Sequence, residues 1–160
     1  MSLEGRLGGL TDALTLQGQW DGARLTARVG GFTAGTDVQV WLEAPGLAGR
    51  VGGITQGFDL RAAIEAGVMR VRLGGVTDGV DVTLNFTPDG AAGRYGNFTQ
   101  GHDVTLRHYE GEVRGRLGSF TRGVEVRMDL NGVPFPLGAL LSVCALRLWL
   151  AQGRPLTASR

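Results

Sequence analysis

Apolar and polar residues alternate along most of this chain, in short stretches separated by glycine and threonine. One stretch places Val38, Val40 and Leu42 at every second position, and the alternation also holds upstream over residues 25–29. Strict alternation is the pattern of a strand that buries one face and exposes the other. The sequence therefore predicts pairs of short strands, each with one apolar and one polar face.

The strand pairs belong to a unit of 22 residues that recurs six times without insertion. An arginine, a glycine two residues later and a threonine five residues later occur in all six copies, and an acidic residue nine positions after the arginine occurs in five. The arginines are Arg6, Arg28, Arg50, Arg72, Arg94 and Arg116, and the acids are Asp37, Asp59, Asp81, Asp103 and Glu125. We expect one domain over residues 1–160, with repeats starting near 3, 25, 47, 69, 91 and 113, and a degenerate capping repeat over 133–153.

The two strands of a unit are linked by Thr-x-Gly, as in Thr33-Ala34-Gly35. This sequence predicts a three-residue hairpin loop that ends on a glycine in the left-handed conformation. Such a loop alone would turn the arginines toward the core, so we expect a β-bulge at the glycine pair to restore their outward direction. The facing pairs predicted with that bulge are Val29 with Val38, Val51 with Leu60, Leu73 with Val82 and Leu117 with Val126.

Strands that all carry one apolar face must cover that face by curling or stacking. We therefore predict an all-β fold in which six to seven hairpin repeats form an antiparallel meander, curled into a flattened barrel or a sandwich. The alternative is a parallel β-solenoid with one 22-residue rung per copy. It is less favoured because it would stack like-charged arginines about 4.8 Å apart.

The last segment, VPFPLGALLSVCALRLWL over residues 133–150, has almost no charge. We expect it to close the array as a strand, with Leu146, Leu148 and Leu150 continuing the inward column. A second possibility is an exposed apolar strand that pairs with another subunit, because edge strands must be covered. Self-association through this C-terminal segment is therefore one expected partnership.

Composition narrows the function classes. The net charge is +1, and all 16 basic residues are arginines, so bulk attraction to nucleic acid or anionic lipid is not expected. The predicted strands are also shorter than the ~9–11 residues of a membrane-spanning strand, so we expect no membrane partner. One cysteine excludes an intrachain disulfide, and the absence of lysine excludes Schiff-base chemistry. Because no signal sequence begins the chain, we expect a cytoplasmic location.

Residues capable of catalysis are sparse and scattered. No G-x-S-x-G motif is present, and Cys144 lies in the apolar final segment with no histidine nearby in sequence. His102 and His108 fall on the inward face of one strand, where they substitute for apolar residues of other copies. We therefore predict no enzyme activity, no metal and no cofactor.

The sequence favours a structural or protein-interaction module with an unidentified protein partner. One possible ligand surface is the arginine column Arg28, Arg50, Arg72, Arg94 and Arg116, although pairing with the acid column is the favoured interpretation. The alternative function is a carbohydrate- or other ligand-binding module. It would use Trp41 and Trp149, which we expect in the same outward position, together with neighbouring arginines.

Overall fold

The chain folds into a closed barrel of antiparallel strands with a helix inside it. The computed structural model describes residues 1–9, 12–31, 34–53, 55–75, 77–97 and 99–158. Within these ranges lie twelve strands and one α-helix, in the order β1 (Ser2–Gly8), β2 (Ala13–Trp20), β3 (Arg24–Gly30), β4 (Gly35–Glu43), β5 (Gly46–Gly52), β6 (Gly57–Glu65), β7 (Val68–Leu73), β8 (Val80–Thr87), β9 (Gly90–Tyr95), β10 (His102–Tyr109), β11 (Glu112–Gly118), β12 (Gly123–Asp129) and α1 (Phe135–Ala151).

Each strand pairs with its neighbours in sequence, and β1 pairs with β12 to close the ring. The antiparallel meander curled into a barrel is thereby confirmed, and the parallel solenoid is wrong. The loops after the odd-numbered strands carry the repeated glycines and lie at one end of the barrel, here called the glycine end. The turns after the even-numbered strands lie at the opposite end.

The alternating pattern sorts side chains between the two faces of the sheet as predicted. Val38 and Val40 are fully buried, whereas the neighbouring Gln39 is exposed. Arg28 lies directly opposite Asp37 on the outer face. Leu42 has the parity of the inner face but lies at the rim opposite the glycine end, where 59% of it is exposed. Aliphatic side chains thus point inward and the repeated arginines outward.

The hairpin register differs from the predicted one by two residues. Val29 pairs with Thr36, and Ala27 pairs with Val38. The other predicted pairs shift in the same way, since Val51 faces Phe58, Leu73 faces Val80 and Leu117 faces Val124. Thr33 of the predicted three-residue loop lies outside the described residues.

The predicted β-bulge is wrong because the hairpin keeps its parity without an extra residue. Gly30 pairs with Gly35, so four residues rather than the predicted three separate the paired positions. This one-residue difference is enough to place Arg28 opposite Asp37 on the outer face. The first glycine of the pair in each copy has a positive φ, for example 115° at Gly30. That conformation is strained for residues with a side chain, which explains why this position is glycine in all six copies.

The predicted capping strand is wrong, because residues 135–151 form the helix α1. Ten consecutive residues, Leu137–Leu146, are buried. The helix contacts strands on several sides of the ring. The Phe135 ring lies 5.5 Å from that of Phe86 on β8, and the Arg147 guanidinium lies 4.4 Å from the ring of Phe58 on β6. The helix therefore runs along the inside of the barrel and forms its core with the inward side chains.

A helix that is apolar on every side must be surrounded by protein, and a ring of this size provides the space. Pro136 stands in the first turn, where a missing N–H group costs nothing. Gly138 lies so close to β12 and the following loop that a Cβ atom there would lie 2.8 Å from Leu130 Cδ2. Small residues on α1 thus let the helix approach the barrel wall.

The segment predicted to self-associate is therefore enclosed by the barrel rather than presented as an exposed strand. Leu146 is fully buried, and Leu148 and Leu150 are half-buried. Among the described residues, no helix combines the length and apolar character needed to cross a membrane.

Candidate functional site

The repeated arginines of copies two to six form one recurring set of contacts. Arg50 donates from Nε to the Gly53 carbonyl oxygen at 3.2 Å and from Nη1 to Asp59 Oδ1 at 3.0 Å. The same pairing with the acid nine residues later occurs at 2.6 Å for Arg28, 3.1 Å for Arg72, 2.8 Å for Arg94 and 2.7 Å for Arg116. Each of these arginines therefore joins its own strand to the next strand and to the intervening loop.

A second repeated glycine makes room for this arrangement. A Cβ atom at Gly79 would lie 2.6 Å from Arg72 Nε, and one at Gly35 would lie 2.8 Å from Arg28 Nε. Gly101 and Gly123 are equally close to their arginines. The arginine side chain thus crosses the strand over a residue that has no side chain, seven positions after it. The glycine is visible in the sequence, but its relation to the arginine is not.

The predicted ligand surface on Arg28, Arg50, Arg72, Arg94 and Arg116 consists of side chains that already contact carboxylates and loop carbonyls. Their side-chain exposure ranges from 15% at Arg116 to 37% at Arg28. Ligand binding by this column remains a prediction. The geometry itself assigns the arginines a role in fixing the loops at the glycine end.

The first copy departs from this pattern at two positions. Ala13 stands where other copies have the second glycine, and Thr15 stands where they have the acid. The guanidinium of Arg6 accordingly forms no ion pair or hydrogen bond with the described part of the chain, although the backbone of Arg6 pairs with both neighbouring strands. Across the closing strand pair, Arg6 lies directly opposite Arg127 of β12, much as Arg72 lies opposite Arg61 of β6.

Four arginines meet at the place where the barrel closes. Arg6 of β1 lies opposite Arg127 of β12, which lies opposite Arg114 of β11, which lies opposite Arg107 of β10. We call these four residues the seam row. All four have outward parity, and a shallow cavity of about 170 Å³ is lined by Arg6, Arg114 and Arg127 together with Glu125. Arg107, Arg114 and Arg127 are neighbours on consecutive strands, and ring closure adds Arg6. Sequence reasoning missed the row because it assigned neither this register nor the closing strand pair.

The charges around the seam row are unevenly compensated. Glu112 contacts the guanidinium of Arg114, and its nearer carboxylate oxygen lies 3.6 Å from Arg127 Nε. The hydrogen bond from Arg114 lowers the pKa of the Glu112 carboxyl. In the described ranges, Arg107, like Arg6, has no ion-pair partner. The row thus presents two paired and two uncompensated guanidinium groups side by side.

The two tryptophans proposed for carbohydrate binding do not share a face. Trp41 lies half-exposed on the outside of β4, with the Arg24 guanidinium 5.2 Å from its ring. Trp149 is on α1 rather than on a strand, is only 3% exposed, and donates from Nε1 to the Pro155 carbonyl oxygen at 3.2 Å. The expectation of a common outward position is therefore wrong. Of these two tryptophans, only Trp41 lies on the outer face, where it could contact a ligand.

The two histidines are half-buried members of the inward face. The His108 ring stacks on Phe135 of α1 at 4.7 Å, and the His102 ring lies 6.0 Å from that of Tyr95. Burial is the main reason why the pKa of His102 is lowered. Within the described ranges, no group of three or more histidine, cysteine, aspartate or glutamate side chains is placed to hold a metal ion.

Two polar groups inside the barrel are strongly shifted by their surroundings. Burial raises the pKa of the Cys144 thiol to about 12, and it raises that of the Tyr95 hydroxyl to about 12 as well. A thiol with such a pKa stays protonated at neutral pH and is a poor nucleophile. Cys144 is therefore placed as a core residue.

Arg147 is the charged residue of α1 and lies near the glycine end. It donates from Nη1 to the Leu73 carbonyl oxygen at 2.9 Å and lies against the ring of Phe58. It also lines an open cavity of about 510 Å³, with Phe58 and Leu148 among the other walls. These contacts anchor the C-terminal half of the helix to β6 and β7.

No protein-family model, no curated protein and no solved structure matches this chain.

Proposed function

We propose that the chain is a non-catalytic module that acts by binding a partner, most simply another protein, through the outside of a rigid barrel. The observation that carries this proposal is that α1 occupies the inside of the ring. Its residues Leu137–Leu146 are buried among the inward side chains. A β-barrel that stores or converts a small molecule normally needs an open interior for it.

The distribution of reactive groups supports the same conclusion. The buried Cys144 thiol has a raised pKa, Ser142 donates its hydroxyl to the Gly138 carbonyl oxygen at 2.9 Å, and the histidines pack against aromatic rings. A nucleophile needs a base within hydrogen-bond reach and access to a substrate. Neither Ser142 nor Cys144 meets this requirement. A cytoplasmic location is part of the proposal, and cell fractionation tests it.

The proposal is tested by mapping where ligands act on the isotope-labelled 160-residue chain. Amide chemical shifts would be followed while panels of peptides, glycans and small anions are added, and each ligand would be checked by mass spectrometry after incubation. We expect changes confined to outward residues and ligands of unchanged mass. Conversion of a ligand, or a ligand whose shifts concentrate on α1, would contradict the proposal.

A second function, carbohydrate binding, rests on the surroundings of Trp41. This indole lies half-exposed on the outer face, directly opposite Ala48 and near Arg24. An aromatic face next to hydrogen-bond donors is a common arrangement for holding a sugar ring.

Glycan-array binding tests this second function. Trp41→Ala should abolish binding of any glycan that the wild type retains, whereas Tyr109→Ala, which removes a 75% exposed aromatic residue from β10, should not. An array that shows no wild-type binding, or equal loss in both variants, would refute the carbohydrate function and leave the binding-module proposal standing.

A further inference from the structure

We propose that the seam row, Arg6, Arg127, Arg114 and Arg107, is a binding site for a short chain of phosphate groups. This inference rests on the proposal that the barrel acts through its outer surface, and it names a ligand class for one part of that surface. It does not involve the arginine column of copies two to six, except for the comparison with Arg6.

The register of the strands places the four arginines in one line across the sheet. The pairs Arg6 with Arg127, Arg127 with Arg114 and Arg114 with Arg107 are direct cross-strand neighbours on β1, β12, β11 and β10. Adjacent strands are about 4.8 Å apart, so the line is about 14 Å long at the level of the backbone. Like charges placed directly opposite each other destabilise a sheet. A bound anion would relieve the repulsion between the four arginines of this row.

The Arg6 side chain is available to this site because the first repeat lacks the glycine and the acidic residue that hold the corresponding arginine in the other copies. The Cβ atom of Ala13 stands where the other copies leave space for the guanidinium, and Thr15 offers no carboxylate. In copies two to six, by contrast, the equivalent arginines bind the acid nine residues later. The repeat is thus altered at the strand that closes the barrel.

The nearby acids neutralise the row only in part. Glu112 contacts Arg114 and approaches Arg127, and Glu125 of the cavity wall is already paired with Arg116 at 2.7 Å. Glu4, Asp129 and Glu112 lie opposite one another two residues away from the row on the same face of β1, β12 and β11. Arg6 and Arg107, at the two ends of the row, have no acidic partner in the described residues.

The chemistry of the row favours phosphate groups in series. A guanidinium group is a planar fork that bonds two oxygens of one phosphate, and each further arginine needs a further anionic group. A single carboxylate would satisfy one arginine and leave the others uncompensated. A short oligophosphate, free or as the phosphate tail of a nucleotide, matches both the number of arginines and the length of the row.

The test is calorimetric titration of the 160-residue chain with inorganic tripolyphosphate at low salt. The variant Arg6→Gln/Arg107→Gln removes the two uncompensated charges, and Arg61→Gln/Arg70→Gln removes two exposed arginines from β6 and β7, outside the row. Neither Arg6 nor Arg107 has a described polar partner, so the first variant should fold. We expect it to bind about tenfold more weakly than wild type, whereas the control should bind within about twofold of wild type.

The comparison arms identify the source of the phosphates. Inorganic orthophosphate should bind at least about tenfold more weakly than tripolyphosphate, since it engages fewer arginines. Tyr109 is exposed and lies two residues after Arg107 on the same face of β10, where its ring could stack on a base. A nucleoside triphosphate that binds more tightly than tripolyphosphate, and loses this advantage in Tyr109→Ala, would identify a nucleotide as the source. Equal affinity of the two would identify the free oligophosphate.

Three results would overturn the site. These are no binding by the wild type, equal loss in the row variant and the control, or binding of single-stranded DNA that tripolyphosphate does not displace. The mass of recovered tripolyphosphate separates this inference from the broader proposal. Hydrolysis that accompanies row-dependent binding would refute the non-catalytic function while the binding site stands.

Discussion

At the residue scale, the recurring contact is made by an arginine whose side chain passes over the glycine seven positions later. It hydrogen-bonds a loop carbonyl oxygen and forms an ion pair with an acidic residue. Arg72 shows each part of it, since Nη1 lies 3.1 Å from Asp81, Nη2 donates to the Gly75 carbonyl oxygen at 2.7 Å, and the side chain passes over Gly79. Such half-exposed ion pairs contribute only about 0–1 kcal/mol each. Their main effect is to fix the geometry of the loops at the glycine end in copies two to six.

The two glycines of the repeated pair have different roles, which a matched substitution can separate. Gly30 has a φ of 115°, and a Cβ atom there would lie 2.9 Å from the Ala34 carbonyl oxygen, whereas a Cβ atom at Gly31 meets no atom within 4 Å. We expect Gly30→Ala to lower the free energy of unfolding by about 1–3 kcal/mol and Gly31→Ala to change it by less than about 0.5 kcal/mol. Urea denaturation measures both values, and equal effects would contradict the assignment.

At the scale of elements, alternation predicted the strands well and failed on the last segment. Strands such as β4 have one face against the core and one in solvent, so their sequence shows which residues point inward. Helix α1 is buried on all sides and has no polar face to reveal its period. Its apolar run is equally compatible with a buried strand, and only the size of the closed ring decides in favour of a helix.

The same limitation applies to the candidate sites. The pairing of Arg28 with Asp37 follows from their constant spacing within a repeat, so the sequence was sufficient. In the seam row, the Arg6–Arg127 pair depends on contact between β1 and β12, which are separated by most of the chain. The unusual residues Ala13 and Thr15 are the signal in the sequence, but their meaning requires knowing that the sheet closes.

Helix α1 should be the most sensitive element of the fold to cavity formation. Leu140 is fully buried near the middle of the helix, whereas Leu148 is half-buried near its C-terminal end. We expect Leu140→Ala to lower the free energy of unfolding by about 2–5 kcal/mol and Leu148→Ala by about half that or less. Thermal and urea unfolding would provide the two values. A Leu140→Ala variant as stable as the wild type would mean that the helix does not form the core.

At the scale of the whole molecule, the barrel encloses the helix and the helix fills the barrel, so we expect the two to unfold together. The inward side chains of strands around the ring and those of α1 form one buried cluster. A barrel of this size without the helix would leave its apolar wall facing an empty interior. The groups buried at the centre should therefore report on the stability of the entire chain.

Two buried groups, Cys144 on α1 and Tyr95 at the glycine end of β9, predict how stability depends on pH. The pKa of Cys144 rises from 9.0 to about 12 and that of Tyr95 from 10.0 to about 12 in the folded protein. The unfolded chain therefore loses these protons first as pH rises, so the stability they contribute is complete below pH 9.0 and decreases above it. We expect a constant free energy of unfolding between about pH 7 and 9, and a decline that begins near pH 9 and continues toward about pH 12.

Cys144→Ala provides the control for this pH dependence. The variant should show a shallower decline between about pH 9 and 10, because only Tyr95 remains to contribute. A stability curve in the variant that falls as steeply as that of the wild type would show that the thiol is not enclosed in the folded protein.

The enclosure of α1 by the barrel is tested most directly by nuclear Overhauser contacts in the labelled protein. The structure predicts contacts from one helix to strands on several sides of the ring. They join Phe135 to Phe86 on β8, Arg147 to Phe58 on β6, and Gly138 to Leu3 on β1. Observation of all three sets together would confirm that the barrel surrounds the helix. Contacts from α1 to adjacent strands on one side only would contradict it.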